Sequence, residues 1–331
     1  MQKGYSPSDY LYASARIRAL EARLSGGEQL NALAQGSSPA DVIAALFDAA
    51  GVTPPADHTA EDVEAALLAV LKGAIATVAG SVPDVRIVRL VQFPYDCHNA
   101  KTCLKCHYRG VEATPLLIDL GSVPANDLMT ALENGDASPL PQNMAKAFSD
   151  AKEAYAKTGD PREIDFLLDR ALFADTAEAA KAFSFAEELF GAKADLANII
   201  ICLRLLRSSP LVAEALFLKA MLPGGTLGKE TFDLAFGEGE DAFLRALAST
   251  PYKKVVEQSR ESTPAELEKR ADDYITDRLI AVKNLPFGAE VPLAYLLALE
   301  STVKNIRILL SGRSAGLDCT TLLSRVRKSY V

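Results

Sequence analysis

The chain has 331 residues, of which 49% are hydrophobic and 24% charged, a balance typical of a folded protein and not of a disordered one. Its net charge of −8 disfavours binding to phosphate backbones, so we expect no nucleic-acid partner. The five cysteines are odd in number and irregularly spaced, and residues 1–9 lack the apolar core of a signal peptide. Both features predict reduced thiols in a cytosolic compartment.

Helix signals begin early in the chain. Ser38-Pro39-Ala40-Asp41 combines a capping residue, a proline at the first helical position and an acid, and it predicts a helix start. Residues 65–80 are rich in alanine and leucine, but they are too few to span a bilayer and have Lys72 at their centre. We interpret them as a buried helix and predict that the chain does not cross a membrane.

Residues 85–91 contain β-branched side chains and leave two interpretations open. They form either a strand or the beginning of the helix that carries Asn99. The preference of valine and isoleucine for strands favours the first interpretation, and continuity with the following helical pattern favours the second.

The same region contains a possible metal or haem site. Cys103, Cys106 and His107 match the C-x-x-C-H pattern of haem attachment, and with Cys97 nearby the group could also hold zinc. Cys103, however, lies four residues after an asparagine, as Cys202 does in a related segment, which is typical of a small buried residue on a helix. We therefore expect no metal and no cofactor, and keep a metal-binding protein as the alternative.

Two short elements share the pattern glycine, hydroxyl residue, aliphatic residue. They are Gly121-Ser122-Val123 and Gly225-Thr226-Leu227. The glycine can end one segment while the serine or threonine caps a new helix, so we predict helix starts here. The second element lies in a stretch that resembles a phosphate-binding loop, but Pro223 and Glu230 break that pattern, so we expect no bound nucleotide.

Two capping boxes introduce a second repeated element. Residues 160–163 and 263–266 each place a capping residue before proline and an acid after it, and each precedes the pattern D-[FY]-x-x-D-R. Asp165 and Asp273 open the two copies of this pattern. Acidic and basic side chains at helical spacing are typical of a solvated face with ion pairs, which is how we interpret them.

An asparagine recurs in three similar helical segments, roughly a hundred residues apart. Asn99, Asn198 and Asn305 are each followed by a leucine five residues later. Asparagine forms helices poorly, and burying its amide unpaired costs about 1–3 kcal/mol, so its recurrence needs a reason. One interpretation is structural, with the amide bonding a free backbone group of a neighbouring segment; the other is contact with a partner.

This triplication predicts an all-α protein built from three similar small helical bundles. We place the modules at residues 1–113, 114–215 and 216–331. The run from Arg16 to Gly27 also resembles the run from Asn305 to Gly316, so we expect the N-terminal helix to pack with the last module. The roughly hundred-residue period is too long for the common short helical repeats.

Positive charge is concentrated in residues 303–331, where six basic side chains oppose only Asp318. One interpretation is a solvated helix whose last turns carry cations that suit the helix dipole. The other is a positive face that meets an acidic partner or anionic lipid headgroups.

Residues at both ends of the chain resemble a known family. The segments are YLYASARIRALEARL at 10–24, PFGAEVPLAYLLALE at 286–300, VKNIRILLSGRSAGL at 303–317 and RVRKSYV at 325–331. Together they resemble the family of the C subunit of rotary V-type ATPases, whose eukaryotic counterpart is the d subunit. One departure is Thr302, which stands where an acidic residue is usual in that family.

The resemblance implies three helical modules in a pseudo-threefold, funnel-shaped arrangement. It implies a non-catalytic rotor subunit on the cytoplasmic face of the membrane, without cofactor or small-molecule substrate. Such a protein is a socket that joins the shaft subunits of the central stalk to the proteolipid ring and transmits torque. A helical scaffold for some other assembly is the remaining alternative.

Overall fold

The computed structural model describes residues 5–24, 26–35 and 60–331. These residues form helices and connecting loops, and no β-strand occurs among them. The predicted all-α fold class is therefore confirmed. The helix start predicted at residues 38–41 lies outside the described residues.

Fifteen α-helices follow one another along the described chain, with short 3-10 turns between some of them. They are α1 (Leu11–Glu21), α2 (Gly27–Gln35), α3 (Ala60–Ala79), α4 (Arg86–Arg109), α5 (Ala125–Glu133), α6 (Gln142–Thr158), α7 (Arg162–Ala180), α8 (Ser184–Ser208), α9 (Ala213–Ala220), α10 (Lys229–Gly237), α11 (Glu240–Leu247), α12 (Lys253–Val256), α13 (Pro264–Ala281), α14 (Glu290–Ser314) and α15 (Cys319–Arg325).

Local capping sets where several helices begin. The predicted start at 160–163 is confirmed, since α7 begins at Arg162 and its backbone N–H donates to Asp160 Oδ1 at 2.9 Å. The start predicted at 263–266 is also confirmed, because α13 begins at Pro264, where a missing N–H costs nothing.

Residues 86–91 belong to a helix, which Val85 immediately precedes. The strand interpretation is wrong, because α4 begins at Arg86 and continues to Arg109. The Asp84 carboxylate accepts a hydrogen bond from the Arg86 backbone N–H at 3.0 Å and so satisfies one free donor at the helix start. The apolar side chains of this first stretch are buried on the helix; they are Ile87, Val88, Leu90 and Val91.

The described residues divide into two compact units. The first contains the described part of residues 1–88 together with residues 265–331. Its centre is α14, which buries most of its length and packs against α1, α2, α3 and α15. The Ser14 hydroxyl of α1 accepts from the Gly288 N–H at 3.2 Å, and Arg18 Nη2 donates to the carbonyls of Val282 and Leu285 at 2.7 and 2.8 Å.

The second unit contains residues 89–264. Helix α7 packs extensively against α6, and α8 contacts α7, α9 and α10. Side chains of α4, α5, α6 and α7 form an apolar cluster in which Leu128, Met144 and Leu168 are fully buried. The division of the whole chain into three modules stays a prediction.

Residues 65–80 lie almost entirely within α3. Leu67, Val70 and Leu71 of this helix are buried, whereas Lys72 is exposed, so one face packs and the other meets solvent. Within the described ranges, no helix has an apolar stretch long enough to span a membrane.

Candidate functional site

The three repeated asparagines make the same pair of hydrogen bonds. Each side-chain amide donates from Nδ2 to the carbonyl of one residue and accepts at Oδ1 from the N–H of that same residue. The partners are Ile118 for Asn99 (both 2.9 Å), Leu222 for Asn198 (both 2.8 Å) and Arg327 for Asn305 (3.0 and 2.8 Å). We call each such reciprocal pair an asparagine clamp.

All three clamps are buried. The exposed fractions of Asn99, Asn198 and Asn305 are 0%, 1% and 1%. A buried amide needs a partner for its donor and its acceptor, and the N–H and carbonyl of one backbone residue supply both. These bonds are of the kind that the structural interpretation of the asparagines predicts.

The helices that carry the clamps also end at nearly the same distance after their asparagines. α4, α8 and α14 end at Arg109, Ser208 and Ser314, nine or ten residues after their asparagines. The bonded segment then returns alongside the helix after different lengths of chain. At the end of α14, Gly316 has a φ of 73°, a left-handed conformation that glycine adopts without strain.

A buried aspartate reinforces the first clamp. Asp96 lies one helical turn before Asn99, and its carboxylate accepts from the Ser122 N–H at 2.9 Å and the Ser122 hydroxyl at 2.6 Å. Burial raises the pKa of Asp96, and the bonds from Ser122 oppose that rise. A Cβ at Gly121 would lie 2.2 Å from Asp96 Oδ1, so only glycine fits there.

The second clamp has the same reinforcement with additional donors. Oδ2 of Asp195 accepts from the N–H and hydroxyl of Thr226 at 3.0 and 2.6 Å, and Oδ1 accepts from the Leu227 N–H at 3.0 Å. The hydroxyl of Tyr252 also donates to Oδ2 at 2.7 Å. A Cβ at Gly225 would again lie 2.2 Å from the carboxylate.

These bonds overturn the predicted role of the two glycine–hydroxyl elements. Ser122 and Thr226 do not cap helices, because Pro124 and Gly228 occupy the cap positions, and their hydroxyls donate to Asp96 and Asp195 instead. Helices α5 and α10 begin three residues later, at Ala125 and Lys229. A capping hydroxyl accepts from a free N–H of the helix, whereas these hydroxyls donate to buried carboxylates, which are strong acceptors.

The third clamp lacks the aspartate and the glycine together. Thr302 replaces the acid and donates to the Ala298 carbonyl of its own helix at 2.9 Å. Three residues after the clamped residue, where the other copies have glycine, the third has Tyr330, which is 3% exposed. The third copy therefore differs from the other two at both positions, with Thr302 in place of the aspartate and Tyr330 in place of the glycine.

Asp165 and Asp273 have different partners. Asp165 Oδ1 lies 2.6 Å from Lys105 Nζ and 3.6 Å from Lys101 Nζ, whose closer partner is Asp169 at 2.6 Å. Asp273 Oδ1 instead accepts from the backbone N–H of Lys328 at 2.6 Å. Burial raises the pKa of Asp273, although this hydrogen bond opposes the rise.

Most cations of residues 303–331 are paired within the first unit. Lys304 and Arg327 both contact Asp272, at 2.5 and 3.0 Å, and Lys328 contacts Asp277. The ion pair of Arg307 with Glu64 ties α14 to α3. These pairs neutralise much of the positive charge that could have attracted an acidic partner or lipid.

The three cysteines of α4 are buried. Cys97 and Cys103 belong to the apolar cluster of the second unit, and the Cys97 thiol donates to the Leu168 carbonyl at 3.5 Å. Burial raises the pKa of Cys97 to about 12 and that of Cys103 to about 11. Cys106 is also buried, while His107 is exposed.

A metal ligand must be a thiolate or a neutral imidazole that faces the ion, and burial here favours the protonated thiol. Within the part of the chain that the structure describes, no three histidine, cysteine, aspartate or glutamate side chains are placed to share a metal.

A cavity of about 390 Å³ lies beside the second clamp, between α7, α8 and α9. Its lining is mainly apolar and includes Phe166, Ile201 and Leu222. The charged side chains at its edge include Arg162, which pairs with Asp160, and Asp165, which pairs with Lys105. The cavity therefore presents apolar surface rather than a set of reactive groups.

Sequence reasoning found the asparagines but missed Asp96, Asp195 and Tyr252. A signal was present, because the two copies with an aspartate three residues before the asparagine are also the two with the glycine–hydroxyl pair. The clamped residues Ile118 and Leu222 also precede these glycines by the same three positions.

The fold and its three clamps define an all-helical protein with an internally repeated, buried hydrogen-bond motif. The family model of the ATP synthase (C/AC39) subunit matches residues 13–324. Because that match covers nearly the whole chain, the chain belongs to this family.

Curated relatives agree with this assignment. The C subunit of the V-type sodium ATPase of Enterococcus hirae is 26% identical over 259 residues, which cover 76% of this chain and 77% of the relative. The C subunit of the A-type ATP synthase of a Desulfurococcus species is 26% identical over 329 residues, covering 92% and 86%. That of Methanocaldococcus jannaschii is 24% identical over 341 residues, covering 93% and 84%.

Replacing a clamp asparagine will destabilise the fold. Asn198→Leu leaves the buried N–H and carbonyl of Leu222 without partners, and each costs about 1–3 kcal/mol. We expect the free energy of unfolding to fall by about 2–5 kcal/mol in denaturant titrations. Asn126→Leu, at an exposed helical position, is the control and should change it by less than about 0.5 kcal/mol. Equal effects of the two substitutions would contradict the clamp.

The close approach at Gly225 gives a second prediction. In Gly225→Ala the new Cβ meets a carboxylate that four hydrogen bonds hold in place, so we expect a loss of about 1–3 kcal/mol. Gly237→Ala is the matched control, since nothing lies within 4 Å of its Cβ and alanine favours the helix end. If both variants melt at the same temperature, Asp195 does not require the glycine.

Thiol reactivity tests the burial of the cysteines. Because a thiol reacts as its thiolate, a pKa of about 12 for Cys97 and Cys202 leaves roughly one molecule in 10⁴ reactive at pH 8. We expect only the partly exposed Cys319 to react quickly with a thiol reagent in the folded protein. Cys319→Ser should abolish the fast phase; a fast thiol that persists in this variant would show that the buried cysteines are accessible.

Proposed function

We propose that this chain is a non-catalytic rotor subunit of a V-type or A-type rotary ATPase, joining the shaft of the central stalk to the proteolipid ring. The observation that carries the proposal is the family match over residues 13–324. Relatives that bear the name of the C subunit of such enzymes also align over most of both chains. The finer role follows from the family resemblance of the sequence.

The proposed arrangement has three helical modules, at 1–113, 114–215 and 216–331, in a pseudo-threefold funnel. Supporting it is the recurrence of one clamp asparagine in each module, namely Asn99, Asn198 and Asn305. A protein with three similar modules could receive a shaft at its centre and rest on a ring. In this proposal it is peripheral, on the cytoplasmic face of the membrane.

Torque transmission requires a body that deforms little under load. Each clamp ties a long helix to a segment that would otherwise be free to move, through two buried hydrogen bonds. Asp96 and Asp195 add further bonds to the same segments. Buried hydrogen bonds and close-packed side chains resist deformation, so the clamps suit a mechanical role.

In this role the ionisable groups serve structure. Asp96 and Asp195 hold loops, Asp165 pairs with Lys105, and burial keeps the Cys97 thiol protonated. We therefore propose that ATP hydrolysis or synthesis and ion translocation take place on other subunits, and that this chain transmits movement between them.

Co-purification tests the proposal. The chain, carrying an affinity tag, is co-expressed with the shaft subunits and the ring subunit of its own complex, in pairs and all together. We expect retention of the shaft and of detergent-solubilised ring, and a ternary complex only when this chain is present. The variant Asn126→Leu, changed at an exposed position, serves as a control for expression and folding of the tagged chain.

Two outcomes would contradict the rotor role. Folded protein that retains neither shaft nor ring would favour a scaffold of another assembly. Stoichiometric zinc or haem in the purified protein, measured by elemental analysis and absorbance, would favour the metal-binding alternative.

A further inference from the structure

The segment 326–331 lies on the first unit without forming a helix. Helix α15 ends at Arg325, and Val326 has an extended conformation with φ −65° and ψ 133°. The segment occupies the place in the third repeat that loop residues hold in the other two, since Arg327 is the partner in the third clamp.

The backbone of this segment is held at several points. The Arg327 N–H and carbonyl are both bonded by Asn305 of α14, and the Lys328 N–H donates to Asp273 Oδ1 of α13 at 2.6 Å. The Tyr330 carbonyl accepts from Lys283 Nζ at 3.3 Å. Main-chain recognition of this kind is how grooves bind extended peptides.

The side chains of the segment meet an acidic surface. Arg327 contacts Asp272 at 3.0 Å and Lys328 contacts Asp277. Neighbouring cations accompany these acids, because Lys304 also contacts Asp272 and Lys283 lies 5.2 Å from the centre of the Tyr330 ring.

Tyr330 connects the segment to the N-terminal helix. Its hydroxyl donates to Glu21 Oε1 of α1 at 2.7 Å, and the ring is only 3% exposed. Glu21 also pairs with Arg18, which in turn donates to carbonyls between α13 and α14. Burial and the bond to Glu21 both raise the pKa of Tyr330.

We propose that the groove formed by Glu21, Asp272, Asp273, Asp277 and Asn305 is a peptide-binding site, filled in this chain by residues 326–331 as a reversible latch. The groove selects Arg–Lys–x–Tyr, because two aspartates receive the adjacent cations and a buried carboxylate receives the tyrosine hydroxyl. The latch joins α1 to α13 and α14, which lie far from it in sequence. Its release would break the bond from Tyr330 to Glu21 of α1 and open the groove to another peptide of the same chemistry.

A trans-binding experiment tests the site directly. The chain shortened to end at Arg325 is titrated with a fluorescently labelled peptide, VRKSYV, and a scrambled peptide of the same composition serves as control. We expect saturable binding of VRKSYV only, a rise in melting temperature on binding, and about tenfold weaker binding to the Asp273→Asn variant of the shortened chain. Equal binding of both peptides, or of neither to a folded shortened chain, would overturn the proposal.

Hydrogen exchange on the uncut chain gives a second test if the shortened one does not fold. A reversible latch predicts that the amides of Arg327 and Lys328 exchange more slowly than in free peptide but faster than the interior amides of α14. Tyr330→Phe should speed their exchange about tenfold and leave α14 unchanged, while Arg325→Ala should change neither. Unprotected segment amides would refute binding, and exchange at the rate of α14 would refute reversible release.

Discussion

The packing of this protein depends on a buried asparagine amide that must find one donor and one acceptor away from water. The backbone of one residue offers both through its own N–H and carbonyl, so each clamp asparagine takes a single residue of a returning segment as its partner. Aspartate would place a carboxylate against a carbonyl oxygen, and leucine would leave two backbone groups unpaired. The requirement explains why this residue recurs three times despite its poor helix propensity.

The residues around each clamp asparagine differ together from one repeat to another. Where an aspartate precedes the asparagine by one turn, the facing segment has glycine followed by a hydroxyl residue, because the carboxylate needs donors and leaves no room for a Cβ. Where threonine replaces the acid, at Thr302, a tyrosine occupies the glycine position. Thr302 bonds its own helix, so it does not need those donors. The repeats thus share one clamp and differ in how it is reinforced.

The clamped segments of the two units are held by different groups. In the second unit, Asp96 and Asp195 hold loops that lead on to the helices after them. In the first unit, the clamped segment is held by ion pairs and by the bond from Tyr330 to Glu21, so its attachment depends on side chains of three helices. The first arrangement suits the mechanical role proposed above, and the second suits the latch proposed for residues 326–331.

Much of this fold could be predicted from local sequence. Proline and acid at the starts of α7 and α13 determined where those helices begin, and the threefold recurrence of asparagine indicated an internally repeated helical protein. The family was indicated separately, by the resemblance of segments at both ends of the chain. The roles of Ser122 and Thr226 could not be predicted in this way. A hydroxyl after glycine has a local preference to cap a helix, and only the approach of Asp96 and Asp195, from about thirty residues earlier in the chain, redirects it.

The partners of the asparagines were decided in the same way, because aliphatic Ile118 and Leu222 and charged Arg327 are all recognised through their backbones. Sequence thus determined which residues need a partner, and tertiary structure decided which backbone supplies it, since main-chain hydrogen bonding leaves little trace in residue type.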